Sequence, residues 1–156
     1  MIPTRSLLLS VAVACLALIG VALYLQHAMD MLPCPLCVIQ RYLFIAIAIF
    51  CVIGAYGAPK AGAGLGLLTA IGGLGTAGRH LWILAHPGLS CGIDPMETML
   101  NKVPTATYLP FLFRADGMCE DALAPVLGMS VPQWAFVWFG LCALALLWAL
   151  VRRRHA

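Results

Sequence analysis

The sequence predicts an all-α integral membrane protein, a bundle of four transmembrane helices with one long irregular loop on its outer side. Three observations predict it. The 156-residue chain is 63% hydrophobic and only 10% charged, whereas ordinary soluble domains are roughly 45–50% apolar and about 25% charged. Four long stretches have the length that a helix needs to cross hydrocarbon. The charges collect between those stretches and at the chain ends. Length alone sets the chain at one domain, residues 1–156.

The four stretches give helices at about 6–25, 42–58, 61–85 and 131–151. Only helices or closed barrels satisfy every backbone group in lipid, so open sheets are excluded. Ser6 to Leu25 follows Arg5 and superficially resembles a signal peptide. Its apolar run exceeds the roughly 7–15 residues of a signal core, and no small-x-small site follows it. It is read as a retained helix. Gly57-Ala58-Pro59-Lys60 breaks the chain between the second and third helices. In the third, Gly62, Gly66 and Ala70 recur every fourth residue, a spacing that lets helices approach closely in lipid.

Four spans place both termini on one side. Arg5, Lys60, Arg152, Arg153 and Arg154 fall there, and all six acids fall on the other. The positive-inside rule makes the termini cytoplasmic. The loops at about 26–40 and 86–130 then face outward. The longer loop holds five prolines and is expected to be irregular with short helical pieces. Within it, Met99 to Phe113 either lies along the membrane surface or packs on a small core of its own. No basic stripe interleaved with aromatics is present, so nucleic acid is excluded as a partner; the lipid bilayer is the expected surrounding.

Seven cysteines divide into two groups. Cys15, Cys51 and Cys142 lie inside apolar helices and are read as inert small hydrophobes. Cys34, Cys37, Cys91 and Cys119 all fall on the outer side, where disulfides persist. Cys34-Pro35-Leu36-Cys37 is a CxxC motif at the outer mouth of the second helix. A helix starting near Leu36 places Cys37 in the first turn, where the N-terminal partial charge stabilises a thiolate. Arg41 lies at i+4, on the same face and within reach of Cys37. That cation favours a thiolate and suits an electron acceptor with a developing oxyanion. Taken alone, Arg41 also reads as a snorkelling interfacial residue.

Cys91 and Cys119 share the long loop and fit either a structural disulfide or a catalytic one. An all-thiolate zinc site is disfavoured, because structural zinc shows two tight pairs. Covalent haem wants His after the CxxC, where Val38 stands. No metal is expected.

At these residues the chain resembles the bacterial disulfide bond formation protein B family, DsbB. Pro33-Cys34-Pro35-Leu36-Cys37-Val38-Ile39-Gln40-Arg41 is similar to its PCxLCxxxR signature. Ala58-Pro59-Lys60, the Arg79-His80 region and Val131-Pro132-Gln133-Trp134 also match, and Cys91 and Cys119 fit its second cysteine pair. Gln40 departs from the acidic residue often found before the arginine, and the long loop is the least similar part.

The resemblance implies a thiol:quinone oxidoreductase of the bacterial inner membrane. A DsbA-like periplasmic oxidase of thioredoxin fold attacks the Cys91–Cys119 disulfide, with Cys91 forming the mixed disulfide. Electrons pass to Cys34–Cys37, and Cys37 donates to ubiquinone or menaquinone from the membrane pool. Arg41 and His80 are implied to polarise the quinone oxygens. Without the resemblance, His80 reads as an interfacial helix-capping histidine. Trp82 and Trp134 read as interface-belt residues, with Trp134 also a candidate for the quinone pocket. Two rival functions are weighed. A vitamin-K-epoxide-reductase-like enzyme would carry its redox CxxC near the end of the bundle. A structural tetraspan would leave the Cys34, Cys37 and Arg41 spacing without a purpose.

Overall fold

A computed structural model describes residues 3–86, 95–123 and 125–151. Cys91 and the terminal arginines lie outside the described residues. Four helices are long and apolar enough to span a membrane: α1 (Thr4–Ala28), α2 (Pro35–Tyr56), α3 (Pro59–Ala85) and α7 (Val131–Val151). Among the described residues three short helices lie between α3 and α7: α4 (Pro95–Lys102), α5 (Pro104–Tyr108) and α6 (Pro110–Phe113). A 3-10 turn at Cys119–Leu123 follows them. No strand occurs among the described residues, so the chain is an all-α four-helix membrane protein.

The helices start where proline allows. Pro35, Pro59, Pro95, Pro104 and Pro110 each stand at the head of a helix. Proline is suited to that place, since its missing N–H is one that has no intrahelical partner anyway. α2 therefore begins at Pro35, about two turns before the apolar run at Tyr42. The outer segment expected at 26–40 is correspondingly shorter. Hydropathy marks only the lipid-immersed part of a helix, whereas proline and a cap set its end.

α2 packs on both α1 and α3, α3 packs on α7, and α7 meets α1 over a narrower contact. Gly54 and Gly62 bring α2 and α3 together next to the turn at Pro59. A Cβ on Gly62 would stand 2.5 Å from the Gly54 Cα and 2.6 Å from the Phe50 carbonyl oxygen. The small-residue face expected on α3 is the buried one, including Gly62, Gly66 and Ala70. Further out, the Phe139 ring lies directly over Gly73 and stacks on Phe44, with centroids 4.0 Å apart.

The long loop is fastened onto the N-terminal part of α2. Tyr42 stacks on Phe113 at 4.3 Å and its hydroxyl hydrogen-bonds Thr105. Val38, Ala106, Phe113 and Ala115 form a small buried cluster. Asn101 clamps Ala115 through both its backbone N–H and its carbonyl, each at 2.9 Å. Met99, Tyr108 and Phe111 remain exposed on the same segment.

Candidate functional site

Pro33-Cys34-Pro35 bends the chain into α2. Cys34 is the N-cap, held extended by the proline that follows it. Its sulfur accepts the Cys37 backbone N–H at 3.3 Å, the place a serine oxygen takes in an ordinary cap. Cys37 thus stands in the first turn of α2. Both cysteines are free thiols, and the Cys34 thiol donates to the Cys37 sulfur at 3.0 Å. That hydrogen bond, reinforced by burial, holds the Cys34 thiol well above the ordinary cysteine range, so the proton of the reduced pair stays on Cys34.

His80, fully buried on α3, points a ring nitrogen at Cys34. Its Nε2 is 3.8 Å from the Cys34 sulfur, and its Nδ1 has no hydrogen-bond partner. The two sulfurs and a His80 nitrogen all lie within 4.8 Å of one another. Among the described residues no fourth ligand completes this set, where a closed structural zinc site takes four. The arrangement is that of a dithiol with a neighbouring base.

Cys119 is brought to the same place from the long loop. It is disulfide-bonded. It packs with Cys34, Leu36 and Ile83 in one buried cluster that Cys37 borders. The anchor is the stretch just before it: the Asp116 and Gly117 backbone N–H groups both donate to the Pro33 carbonyl, at 3.2 and 3.1 Å. Cys91, expected as its partner, falls outside the described residues.

A cavity of about 370 Å³ reaches Cys37. Apolar side chains of α1, α2 and α7 line most of it, among them Leu18, Ile19 and Trp138. Its polar lining comes from α2: Cys37, Gln40 and Arg41, with Phe44 completing an i, i+3, i+4, i+7 stripe. Cys34 and His80 are not in this lining. Arg41 is 6% exposed and donates to the Leu112 carbonyl at 2.9 Å. Among the described residues it makes no ion pair. Trp134 lines the cavity while its indole N–H donates to the Val126 carbonyl at 2.8 Å.

The structure therefore gathers Cys34, Cys37, Cys119, His80 and Arg41 at the end of the bundle where α2 begins and α3 ends. Sequence reasoning did not single out Gln40, Phe44 or Trp138 as lining residues. The helical spacing from Cys37 was the signal available for the first two. Trp138 had a weaker one, lying one turn beyond Trp134.

Comparison with known proteins gives the family. The family model described as disulfide bond formation protein DsbB matches residues 4–149. The chain belongs to the DsbB family. A disulfide bond formation protein B from Herminiimonas arsenicoxydans is 53% identical over 97% of this chain and 98% of its own length. Those of Ralstonia nicotianae and Cupriavidus metallidurans are 44% and 41% identical, each again over nearly the full length of both chains. As a member of that family it is a disulfide bond formation protein with four helices able to span a membrane.

Proposed function

We propose that this protein is a thiol:quinone oxidoreductase of the bacterial inner membrane, with its cysteines on the periplasmic side, that reoxidises a DsbA-like dithiol oxidase. The observation that supports it best is the position of Cys37: its thiol meets that of Cys34, and the residue lines an apolar cavity. Electrons arriving by disulfide exchange have an exit there.

The residues suggest an order of events. A thiolate of the partner attacks Cys91 and breaks the Cys91–Cys119 bond, releasing the Cys119 thiolate. Cys119, packed against Cys34, attacks that sulfur of the oxidised Cys34–Cys37 pair and frees the Cys37 thiolate. The partner's second thiolate attacks its mixed disulfide and leaves as the oxidised partner, and the Cys91 thiolate so freed attacks Cys119, restoring the loop disulfide and leaving the CxxC pair reduced. His80 Nε2, 3.8 Å from the Cys34 sulfur, is within reach to receive the Cys34 proton when the reduced pair is reoxidised. Arg41 supplies a fixed positive charge next to Cys37 in apolar surroundings, where charge acts more strongly than in water.

A membrane quinone, ubiquinone or menaquinone, supplies the two-electron acceptor. The cavity fits such a ring in three ways. Its volume of about 370 Å³ is within the ordinary range for small-molecule sites. Its walls are apolar, and its polar groups converge beside the thiol. Arg41 is a buried cation with no carboxylate among the described residues, so an electron-rich oxygen is its natural complement. Cys37, Arg41 and Trp134 are the residues that would hold the ring.

The test is anaerobic mixing with a reduced DsbA-like partner and a soluble ubiquinone, following quinone absorbance. Quinone loss that requires both Cys37 and Cys91 is expected. Turnover retained in Cys37→Ser would remove this electron path. Stable disulfides that never exchange would leave a structural tetraspan.

A further inference from the structure

Gln40 is 4% exposed, and its amide nitrogen is buried without any hydrogen-bond partner. A primary amide donor so placed is costly unless something completes it. Gln40 also lines the cavity, one turn from Cys37 and next to Arg41. Its neighbours there are overwhelmingly apolar side chains, which offer the amide no acceptor. The unmet donor thus belongs to a side chain that lines the cavity, and a small turn of the amide brings it to a ligand there.

We propose that Gln40 is a ligand-binding residue whose side-chain amide donates a hydrogen bond to a carbonyl oxygen of the ring bound in this cavity. The assignment rests on the quinone reading above and adds to it a second donor besides Arg41. The chemistry selects the ligand class: a flat apolar ring with an exposed carbonyl acceptor. It discriminates against apolar molecules of the same shape without that oxygen, because only the carbonyl satisfies the amide. The neutral donor complements the cation: Arg41 favours charge as it develops, and Gln40 orients the uncharged ring beforehand.

A sign difference separates this role from a structural one. Removing an unsatisfied buried donor relieves the quinone-free protein, so Gln40→Met should melt at a higher temperature than the parent. The same change should weaken ring binding. A residue needed only for packing would lower stability and binding together.

Trp134 and Trp138 line the cavity and give the readout. The full chain in detergent is titrated with a short-chain ubiquinone, and tryptophan quenching is followed without turnover. A matched alkylbenzene lacking carbonyls is titrated in parallel as competitor. Gln40→Met should bind the quinone about tenfold more weakly, the worth of one hydrogen bond. It should bind the alkylbenzene as the parent does and melt higher without ligand. Unchanged quinone affinity in Gln40→Met overturns the proposal while leaving the quinone site standing. Equal weakening for both ligands, with a lowered melting temperature, overturns it in favour of a packing role. If the parent itself fails to bind the quinone, the cavity is not a quinone site and the Gln40 assignment falls with it.

Discussion

Gly117 is where a single methyl group should uncouple the two cysteine pairs. Its backbone N–H and that of Asp116 hold the Cys119 segment on the Pro33 carbonyl, immediately before Cys34. A Cβ there would lie 2.7 Å from the Leu32 carbonyl carbon and 3.0 Å from the Leu32 Cβ, on top of its contact with the carbonyl oxygen. Gly117 is not in the left-handed region, so alanine suits its backbone and the contact alone is the obstacle. Carbon atoms settle at about 3.5–4.0 Å, so the loop must retreat by roughly 1 Å in Gly117→Ala. Two hydrogen bonds at about 0.5–1.5 kcal/mol each are put at risk, weakening the docked loop by ~1–3 kcal/mol. A displacement of about 1 Å between reacting groups costs up to ~100-fold in rate. Partner-driven quinone reduction should therefore fall about 10–100-fold by the same reasoning. Reduction driven by a small dithiol acting directly on Cys34–Cys37 should be nearly unchanged. Stopped-flow quinone absorbance with each reductant separates the two. An unaltered partner-driven rate would refute the claim that this contact carries the exchange. An equal fall with both reductants would move the defect to the quinone side.

Three other substitutions test separate parts of the structure. Arg41→Met should lower quinone kcat/KM by about 10–150-fold, from a charged hydrogen bond of ~1.5–3 kcal/mol, while disulfide exchange with the partner, measured by trapping the mixed disulfide, proceeds normally. Gly73→Val forces the Phe139 ring off α3 and should cost ~1–3 kcal/mol; Phe139→Leu in the same chain should recover much of it in thermal unfolding, and a purely additive double variant would contradict the packing account. Leu127 holds φ of 53° beside Gly128 at 84° in the turn that joins Val126 to Met129; Leu127→Asn should relieve roughly 1 kcal/mol of strain and raise the melting temperature, and a lowered one would mean that the cavity contact of Leu127 outweighs its backbone strain.

Much of the fold was legible because lipid imposes a simple rule. Four uncharged runs of sufficient length have one all-helical solution, and the glycine spacing on α3 marked its buried face. The CxxC and its arginine were equally readable, since i and i+4 share a helix face whatever surrounds them. Hydropathy put the apolar run of α2 only from Tyr42, whereas its start near Leu36 was readable from the CxxC and its prolines, within one residue of the observed Pro35.

What the sequence by itself determined, then, is everything that depends on neighbours along one helix: the spans, the turn at Pro59, the Cys37 and Arg41 pairing, and the family signature. Only the tertiary structure decided what meets across helices. Periodicity names the face a side chain occupies but carries no information about the opposite wall. His80 is turned to Cys34 and stays out of the cavity lining because it stands on α3, which packs on α2 and gives the cavity no lining residue. Cys119 reaches Cys34 because two backbone groups of a distant loop find the Pro33 carbonyl. Gln40 is left with an unmet donor because α1 and α7 bring only apolar side chains toward it. These are contacts between segments far apart in the chain, set by how four helices close around a space.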